Sequence, residues 1–164
     1  MSFFWYTNKD FDSKDIVTKY TSYITVKKKI IIINGVNLNE LGTREVDVYG
    51  HVDFETYFFE LKKRFPQFEL DFFQSNKIDE LVDQILSHQY FDGIILNPGA
   101  YTHSSIVLAD AIKAISTPVV EVHISNLFGR ESFRKKSMIS SSCKGTISGF
   151  GLKGYDLAIF SFID

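Results

Sequence analysis

The sequence predicts an α/β fold in which helices cover both faces of a parallel sheet. Three observations predict it: a run of isoleucines at 30–33, a regular alternation of short β-branched segments with amphipathic segments, and an asparagine followed within two residues by a glycine at the end of two predicted strands. An apolar run too short for a buried helix is typical of a strand that is covered on both faces. Strands that alternate with helices pair in parallel through right-handed crossovers.

The segment 29–50, KIIIINGVNLNELGTREVDVYG, carries the first predicted strand and the polar loop that follows it. Asn34, Gly35 and Asn37 come at the carboxyl end of the strand, where open α/β sheets place their ligands. The loop then stays polar up to Gly50. Its length and composition favour a mobile lid over a simple connection.

Apolar residues spaced at i, i+3, i+4 and i+7 predict the first two helices. The spacing starts at Phe54 for the first helix, which Pro66 closes, and at Ile78 for the second, and charged residues occupy the positions between. The segment 68–73 lies between these helices and predicts the second strand.

The second half of the chain repeats the alternation. It contains, in order, a third strand at 94–96, a nearly apolar helix at 104–115, a fourth strand at 118–123, a fifth at 144–148 and a last helix at 155–162. With five parallel strands, the simplest arrangement is a flavodoxin-like three-layer sandwich with the strand order 2-1-3-4-5.

Length and composition indicate one domain and limit the class of partner. The chain has 164 residues, with 18 basic and 20 acidic side chains, and no basic stripe suited to nucleic acid. We expect a small-molecule substrate, no nucleic acid and no membrane. The single Cys143 excludes an intramolecular disulfide and is compatible with a cytoplasmic location.

The chain divides into an N-terminal extension at 1–28 and a single catalytic domain at 29–164. The extension begins with the apolar sequence FFWY at 3–6, which is too short to span a membrane. A helix is expected at 15–23, and the role of the extension is unknown.

The predicted strand order places the loops after strands one, three and four in one crevice, at the point where the order reverses. This convergence selects the candidate site, whose members carry amide, imidazole, guanidinium, carboxylate and hydroxyl groups. They are Asn37, Arg44, Tyr49, Asn97, His103, Glu121, His123, Ser125, Arg130 and Arg134.

Within this group the residue types fit proton transfer next to a carbonyl. Glu121 and His123 leave the same face of a strand, so the carboxylate can orient the imidazole, although a purely structural pair explains the spacing equally well. Asn37 can donate a hydrogen bond to an enolate oxygen. Tyr49 is a base only if cations such as Arg44 stabilise its phenolate, and otherwise it packs.

Other ligand motifs are not supported by their context. The sequence GFGLKG at 149–154 matches G-x-G-x-x-G, but the ten residues after it leave no room for the rest of a dinucleotide site. We interpret it as a tight turn from strand to helix. No Walker A motif, nucleophile elbow or zinc-type spacing is present, so we expect neither a cofactor nor a metal.

Several motifs, in order and in register, resemble the type II 3-dehydroquinate dehydratases over residues 29–164. They are NGVNLNELGTRE, VYG, FQSN, LNPGAYTHSS, VEVHISN and GRESFR. The resemblance implies a flavodoxin-like fold. It also implies dehydration of 3-dehydroquinate to 3-dehydroshikimate through an enolate, by general acid/base catalysis without metal or Schiff base. The reaction would serve the shikimate pathway and aromatic amino acid biosynthesis, or quinate catabolism.

The resemblance also implies a role for each matching residue. Tyr49 is the base, Arg44 activates it, Asn37 stabilises the enolate, and His123, oriented by Glu121, is the acid. Eight further positions match substrate-binding residues: Asn97, Gly99, His103, Asp110, Ile124, Ser125, Arg130 and Arg134. Asp110 matches an aspartate that reaches the site of a neighbouring subunit, which implies trimers assembled into a dodecamer.

The chain departs from the family pattern at a few positions. Valine replaces proline at Val36 and Val46, LFG at 127–129 replaces Val-His-Ala, and Lys136 falls where histidine is common. The alternatives are a flavodoxin-like binding module, for flavin or a phosphoryl group, and a catalytically silent scaffold. A phospho-acceptor domain would need an aspartate where the third strand ends in Asn97.

Overall fold

The computed structural model describes residues 26–43 and 51–163. Its strands are β1 (Lys28–Asn34), β2 (Phe68–Gln74), β3 (Gly93–Asn97), β4 (Val119–His123) and β5 (Gly145–Ser148). Its α-helices are α1 (Phe54–Arg64), α2 (Ile78–Ser87), α3 (Ile106–Lys113) and α4 (Lys153–Phe160). Five short 3₁₀ helices lie in the connections: Leu38–Glu40, Gly99–His103, Leu127–Gly129, Ser132–Arg134 and Ser140–Ser142.

The five strands form one parallel sheet in the order β2-β1-β3-β4-β5, as the sequence predicted. The register pairs Asn34 at the end of β1 with Asn97 at the end of β3. Leu96 of β3 lies opposite Glu121 of β4. These pairings bring the carboxyl ends of β1, β3 and β4 together at the point where the chain reverses its direction of winding.

The isoleucines of β1 divide between two cores. Ile30 and Ile32 pack with residues of α1 and α4 on one face of the sheet, and Ile31 and Ile33 pack with residues of α2 and α3 on the other. Successive side chains of a strand point to opposite faces, so a continuous apolar run is what a strand in the middle of three layers requires. The three-layer sandwich is confirmed.

Helix α3 begins later than its apolar sequence predicted. The segment Gly99–His103 forms a 3₁₀ helix, and α3 starts only after Ser105, whose hydroxyl caps the helix by accepting from the N–H of Leu108. Ile106 and Val107 at the start of α3 are 60% and 59% exposed. The apolar sequence is therefore not entirely core.

Two glycines keep the loops after β1 and β3 in backbone contact. A Cβ at Gly35 would lie 2.4 Å from the carbonyl oxygen of Pro98, and one at Gly99, where φ is +61°, would lie 2.6 Å from the oxygen of Val36. The N–H of Gly35 donates to the oxygen of Asn97 at 2.7 Å. Only residues without a side chain permit this approach.

Some predictions fall outside the described residues, namely the helix at 15–23 and the loop residues Arg44, Val46, Tyr49 and Gly50. None of the helices in the described ranges is long and apolar enough to cross a membrane. The GFGLKG segment runs from the end of β5 into the first two residues of α4, with positive φ at Gly149 and Gly151, as expected for a tight turn.

Candidate active site

A pocket opens at the carboxyl ends of β1, β3 and β4, with a volume of about 190 Å³. This volume suits one small molecule rather than a dinucleotide. Its lining comes from the loops after these strands and from the 3₁₀ segments beyond them. The lining residues are Val36, Asn37, Leu38, Glu40, Leu41, Asn97, Gly99, Ala100, His103, His123, Ile124, Ser125, Leu127, Arg130 and Arg134.

The pocket brings together most of the site residues predicted from the sequence. Those that line it are Asn37, Asn97, Gly99, His103, His123, Ile124, Ser125, Arg130 and Arg134. Glu121 lies behind His123 and bonds to it. Asp110 is exposed on α3 and does not line the pocket of its own chain. Arg44 and Tyr49 lie outside the described residues.

His123 is held by the carboxylate of Glu121. Both residues are buried in β4, and the distance from His123 Nε2 to Glu121 Oε1 is 2.7 Å. The sequence predicted this contact from the two-residue spacing, since side chains at i and i+2 of a strand share a face.

Three hydroxyl groups complete what we call the carboxylate cluster, which comprises Thr102, Glu121, His123, Ser137 and Thr146. Thr102 Oγ1 donates to Glu121 Oε1 at 2.5 Å. Ser137 Oγ donates to both carboxylate oxygens, at 3.0 and 3.2 Å, and Thr146 Oγ1 donates to Oε2 at 3.1 Å. The fully buried carboxylate thus accepts hydrogen bonds on both of its oxygens.

The backbone limits the direction of the Ser137 hydroxyl. The N–H groups of Ile139 and Ser140 both donate to Ser137 Oγ, at 3.2 and 2.9 Å. Backbone N–H groups can only donate, so the proton of the hydroxyl must point away from them. The acceptors on the other side are the two oxygens of Glu121 and, at 2.9 Å, Thr102 Oγ1, whose own proton goes to Glu121.

These contacts keep Glu121 ionised. Burial opposes the charge, but the hydrogen bond and charge of His123, with the hydroxyls of Thr102 and Ser137, outweigh it and hold the pKa of Glu121 below its ordinary value. An ionised carboxylate only accepts, so the hydrogen bond requires a proton on His123 Nε2. Nδ1 is left as the ring nitrogen that can act in the pocket.

The other imidazole of the pocket has its orientation fixed in a similar way. His103 Nδ1 lies 2.7 Å from the carbonyl oxygen of Lys136. Because a carbonyl only accepts, Nδ1 carries the proton, and Nε2 remains available. Lys136 thus contributes to the site through its backbone carbonyl oxygen, which orients the imidazole of His103.

One wall of the pocket carries two guanidinium groups. Arg130 and Arg134 line it, with Glu131 between them in sequence and 3.5 and 3.3 Å from their Nε atoms. Arg130 also donates from Nη1 to Ser125 Oγ at 3.4 Å. Among the described lining residues, Glu40 is the only acidic one. A small anionic ligand would lower the electrostatic energy of this wall.

A second buried network, which we call the amide relay, comprises Asn34, Asn97 and Tyr155. Asn97 Nδ2 donates to Tyr155 Oη at 2.8 Å, and Tyr155 Oη donates to Asn34 Oδ1, also at 2.8 Å. Tyr155 comes from α4 and is fully buried. Asn34 Nδ2 has no hydrogen-bond partner in the described part of the chain. The relay connects the ends of β1 and β3 through a phenol from the last helix.

The loop after β1 presents Asn37 to the pocket from a left-handed backbone conformation, with φ at 66°. Asparagine tolerates this conformation better than most residues do. The N–H of Asn37 donates to Asn76 Oδ1 at 2.9 Å, and Gln74 Nε2 donates to the oxygen of Gly35 at 3.2 Å. Polar residues at the end of β2 and just after it thus hold the loop in place.

Comparison with known proteins agrees with this architecture. The profile of the family described as Dehydroquinase class II matches residues 28–163. The chain belongs to this family.

Among its relatives, the 3-dehydroquinate dehydratase of Caldicellulosiruptor bescii is 49% identical over 139 residues, which cover 82% of this chain and 95% of that protein. The 3-dehydroquinate dehydratase of an Exiguobacterium species is 50% identical over 137 residues, covering 83% and 94% of the two chains. Both alignments span most of each protein, so the likeness is to whole proteins of this family rather than to a fragment.

A solved structure gives the same result. The type II dehydroquinase of Butyrivibrio crossotus superposes with a TM-score of 0.80 at 40% identity, covering 83% of this chain and 97% of that one. The family resemblance and the flavodoxin-like fold predicted from the sequence are confirmed. A flavodoxin-like binding module is correspondingly disfavoured.

Sequence reasoning missed several residues of this class II dehydroquinase site. They are Asn34, Thr102, Ser137, Thr146 and Tyr155, none of which was predicted to act there. Thr102 lies inside a motif that had been noticed for its histidine, and Asn34 was noted only as one of the polar residues at the carboxyl end of the first strand. Ser137 and Tyr155 carry no local signal, because their contacts are 16 and 121 residues away.

Proposed function

We propose that this chain removes water from 3-dehydroquinate to give 3-dehydroshikimate. Membership of the Dehydroquinase class II family and relatives that carry the name 3-dehydroquinate dehydratase support the proposal. The observation that carries it to specific atoms is the buried Glu121–His123 pair at the pocket wall, with a 2.7 Å contact that leaves one ring nitrogen for the ligand.

The reaction needs a base, a group that stabilises the enolate and an acid. The base takes the proton from C2 of 3-dehydroquinate, and the electron pair moves onto the ketone oxygen as an enolate. The enolate then expels the C1 hydroxyl, which accepts a proton and leaves as water. His123 in its protonated form supplies that proton from Nδ1, because Glu121 occupies Nε2.

The remaining catalytic roles follow the family resemblance. Tyr49 is the base and Arg44 stabilises its phenolate. Asn37 stabilises the enolate, and its position on the pocket wall next to the end of β1 is compatible with that role. The Glu121–His123 pair is thereby assigned a catalytic rather than a merely structural function.

Substrate binding is assigned to the rest of the pocket lining. Ile124 and Ser125, after β4, take the carboxylate through their backbone N–H groups. Arg130 and Arg134 supply positive charge to the same wall. The ring hydroxyls are held by side chains on the other walls, namely Asn97, His103 and Arg134, with Gly99 allowing a close approach of the backbone.

The proposed assembly is a trimer, with trimers forming a dodecamer. Asp110 is exposed on α3, and the neighbouring Ile106 and Val107 expose apolar side chains on the same helix. Burial of these side chains against another subunit would be favourable and would carry Asp110 into a partner's site. Residues 29–164 form the proposed catalytic unit, with 1–28 an extension, and the enzyme would act in the cytoplasm in the shikimate pathway or in quinate catabolism.

Turnover provides a direct test of the proposed function. The product is a conjugated enone, so mixing the protein with 3-dehydroquinate should give growing ultraviolet absorbance. His123→Ala and Tyr49→Phe should each lower kcat by about 100-fold or more, since each removes a proton-transfer group. Stable absorbance with the unaltered chain would instead indicate a silent scaffold.

Matched controls separate chemistry from damage to the fold. His88 bonds to the carbonyl oxygen of Gln84 on α2, away from the pocket, and Tyr90 is 89% exposed. His88→Ala and Tyr90→Phe should retain full activity. If His123→Ala or Tyr49→Phe behaved like its control, the role assigned to that residue would be wrong.

A further inference from the structure

We infer that Tyr155 is a positioning residue, which fixes the amide of Asn97 in the orientation that binds substrate. The inference rests on the proposed function only for the role of Asn97 toward the ligand. Tyr155 lies outside the pocket lining, yet its phenol oxygen is 2.8 Å from Asn97 Nδ2. The side chain of Asn97 is thus held from behind, by the last helix of the chain.

The direction of the hydrogen bonds in the relay follows from the backbone N–H of Gly99, which can only donate. The N–H of Gly99 donates to Asn97 Oδ1 at 3.2 Å. A backbone N–H has no acceptor function, so the amide oxygen of Asn97 must face Gly99. Its amino group therefore faces Tyr155, and one further N–H and one further lone pair remain for the pocket.

The phenol of Tyr155 is suited to hold this arrangement. Burial raises the pKa of Tyr155, so the group stays protonated and donates to Asn34 Oδ1 while it accepts from Asn97. Its ring packs edge-on against Phe54, with the centroids 4.8 Å apart. The oxygen is thus fixed in place by packing as well as by hydrogen bonds.

Asn34 sets the direction of the phenol proton. If the Asn34 amide were flipped, its amino group would face Tyr155 Oη, which already accepts from Asn97, and the phenol proton would lose its acceptor. Within the relay, the observed orientation leaves Asn34 Nδ2 as the one side-chain group without a partner among the described residues. One nitrogen of the relay is thus unpaired, and the hydrogen bonds of its other groups each have a fixed direction.

Without the phenol, Asn97 would keep only the longer contact from Gly99, and its amide could rotate away from the substrate. Hydrogen bonds to a ring hydroxyl act equally before and during the reaction, so their loss raises KM and leaves kcat unchanged. A residue that served stability alone would lower the melting temperature without moving KM. This difference distinguishes positioning from packing.

The test compares Tyr155→Phe with Tyr57→Phe. Tyr57 belongs to the same aromatic cluster, with its ring 6.4 Å from that of Tyr155, but its hydroxyl donates to Asp156 rather than to an asparagine. In dehydration assays, Tyr155→Phe should raise KM about tenfold with kcat within about twofold of the unaltered chain, the size expected for one hydrogen bond. Tyr57→Phe should leave both constants unchanged.

A second measurement does not require turnover. The ¹H–¹⁵N signals of the Asn97 side-chain amide, assigned with Asn97→Asp, should shift in Tyr155→Phe and stay in place in Tyr57→Phe. Unchanged amide signals, or equal KM values for the two tyrosine variants, would overturn the inference. A chain with no turnover but with the amide shift would refute the proposed function alone.

A third variant guards against a failure of Tyr155→Phe to fold. Asn34→Leu removes the acceptor of the phenol proton and leaves Tyr155 in place. It should raise KM in the same direction and shift the same Asn97 signals. If it changes neither, the relay does not position Asn97.

Discussion

The carboxylate cluster and the amide relay are both buried polar networks at the carboxyl end of the sheet, and they differ in charge. In the cluster, both oxygens of Glu121 accept hydrogen bonds, from four side chains in all. In the relay, three neutral groups share two side-chain bonds, and Asn34 Nδ2 has no partner among the described residues. The charged network is saturated and the neutral one is not.

The difference follows from the free energy of burial. A buried charge without partners is far more costly than a buried amide N–H without one, so a carboxylate must be surrounded by donors. The charge of Glu121 also fixes a proton on His123 Nε2, and a neutral partner would hold that proton less firmly. The neutral relay directs a group toward the ligand but contributes no charge to the chemistry. Perturbing the cluster should therefore affect kcat, and perturbing the relay should affect KM.

The largest expected effect comes from removing the charge while keeping the shape. Glu121→Gln places an amide in the cluster, with donor hydrogens where Ser137 and Thr146 also donate. The proton on His123 is then no longer fixed by a charge, and we expect kcat to fall about 100-fold, within the range for general acid catalysis. Steady-state assays with 3-dehydroquinate would measure it.

A change in KM alone for Glu121→Gln would break the comparison, because it would show that the cluster binds substrate in the same manner as the relay. Circular dichroism and a melting curve should accompany the assay. They would establish that the variant is folded, so that the loss of kcat can be assigned to the site.

A smaller effect is expected from Thr102→Val, with Thr117→Val as its match. Both threonines are buried. The hydroxyl of Thr102 donates to Glu121 Oε1 and that of Thr117 donates to the carbonyl oxygen of Gln89, each at a distance of 2.5 Å. Each variant should lose about 0.5–3 kcal/mol of unfolding free energy, the net contribution of one side-chain hydrogen bond, with the larger loss where the acceptor is the charged Glu121.

The two threonine variants should differ in activity. Thr102→Val should lower kcat about tenfold, because Glu121 loses one donor and holds the His123 proton less firmly. Thr117→Val should turn over normally. If urea titrations show that both variants are folded and their kcat values are equal, the Thr102 hydroxyl has a structural role only.

The smallest expected effect is on stability in acid. The pKa of Glu121 lies below its ordinary value of 4.5 in the folded chain, so its ionised form stabilises the fold above that pH. This contribution is lost as pH falls through the folded pKa. Urea titrations at pH 7 and pH 4 should show a smaller loss of unfolding free energy for Glu121→Gln than for the unaltered chain.

Tyr155→Phe should show the same loss between these pH values as the unaltered chain, since the buried phenol does not ionise in acid. The pH dependence would then belong to the charged network alone. An equal acid response in Glu121→Gln would mean that other carboxylates account for it.

Local patterns were sufficient for the fold. The isoleucines at 30–33, the spacing that begins at Phe54 and the alternation of strands with helices predicted the elements, because each depends on neighbours close in sequence. The sheet order was predicted as the simplest arrangement of five parallel strands. The ends of elements were less accurate. Helix α3 begins at Ile106 rather than at 104, since Ser105 caps it and the preceding residues form a 3₁₀ turn.

The residues that line the pocket, with Glu121 behind them, were predictable from local patterns and from the predicted strand order. Glu121 and His123 are two residues apart, and the predicted strand order placed Asn37 and Asn97 in one crevice. The residues that hold Glu121 and Asn97 from behind were not predictable. Ser137 and Tyr155 reach their partners only through the folded topology, and neither belongs to a pattern that distinguishes it from other serines and tyrosines.

The contact between Gly35 and Pro98 sets a limit on how this pocket can vary. Main-chain atoms of two loops meet there, so any residue other than glycine at position 35 would force the loops apart. Val36 and Gly99, the next residues along each loop, line the pocket, so the spacing of this part of the lining is set by the van der Waals radii of the backbone. Selection for a different ligand would therefore have to work on the other lining residues and leave this contact unchanged.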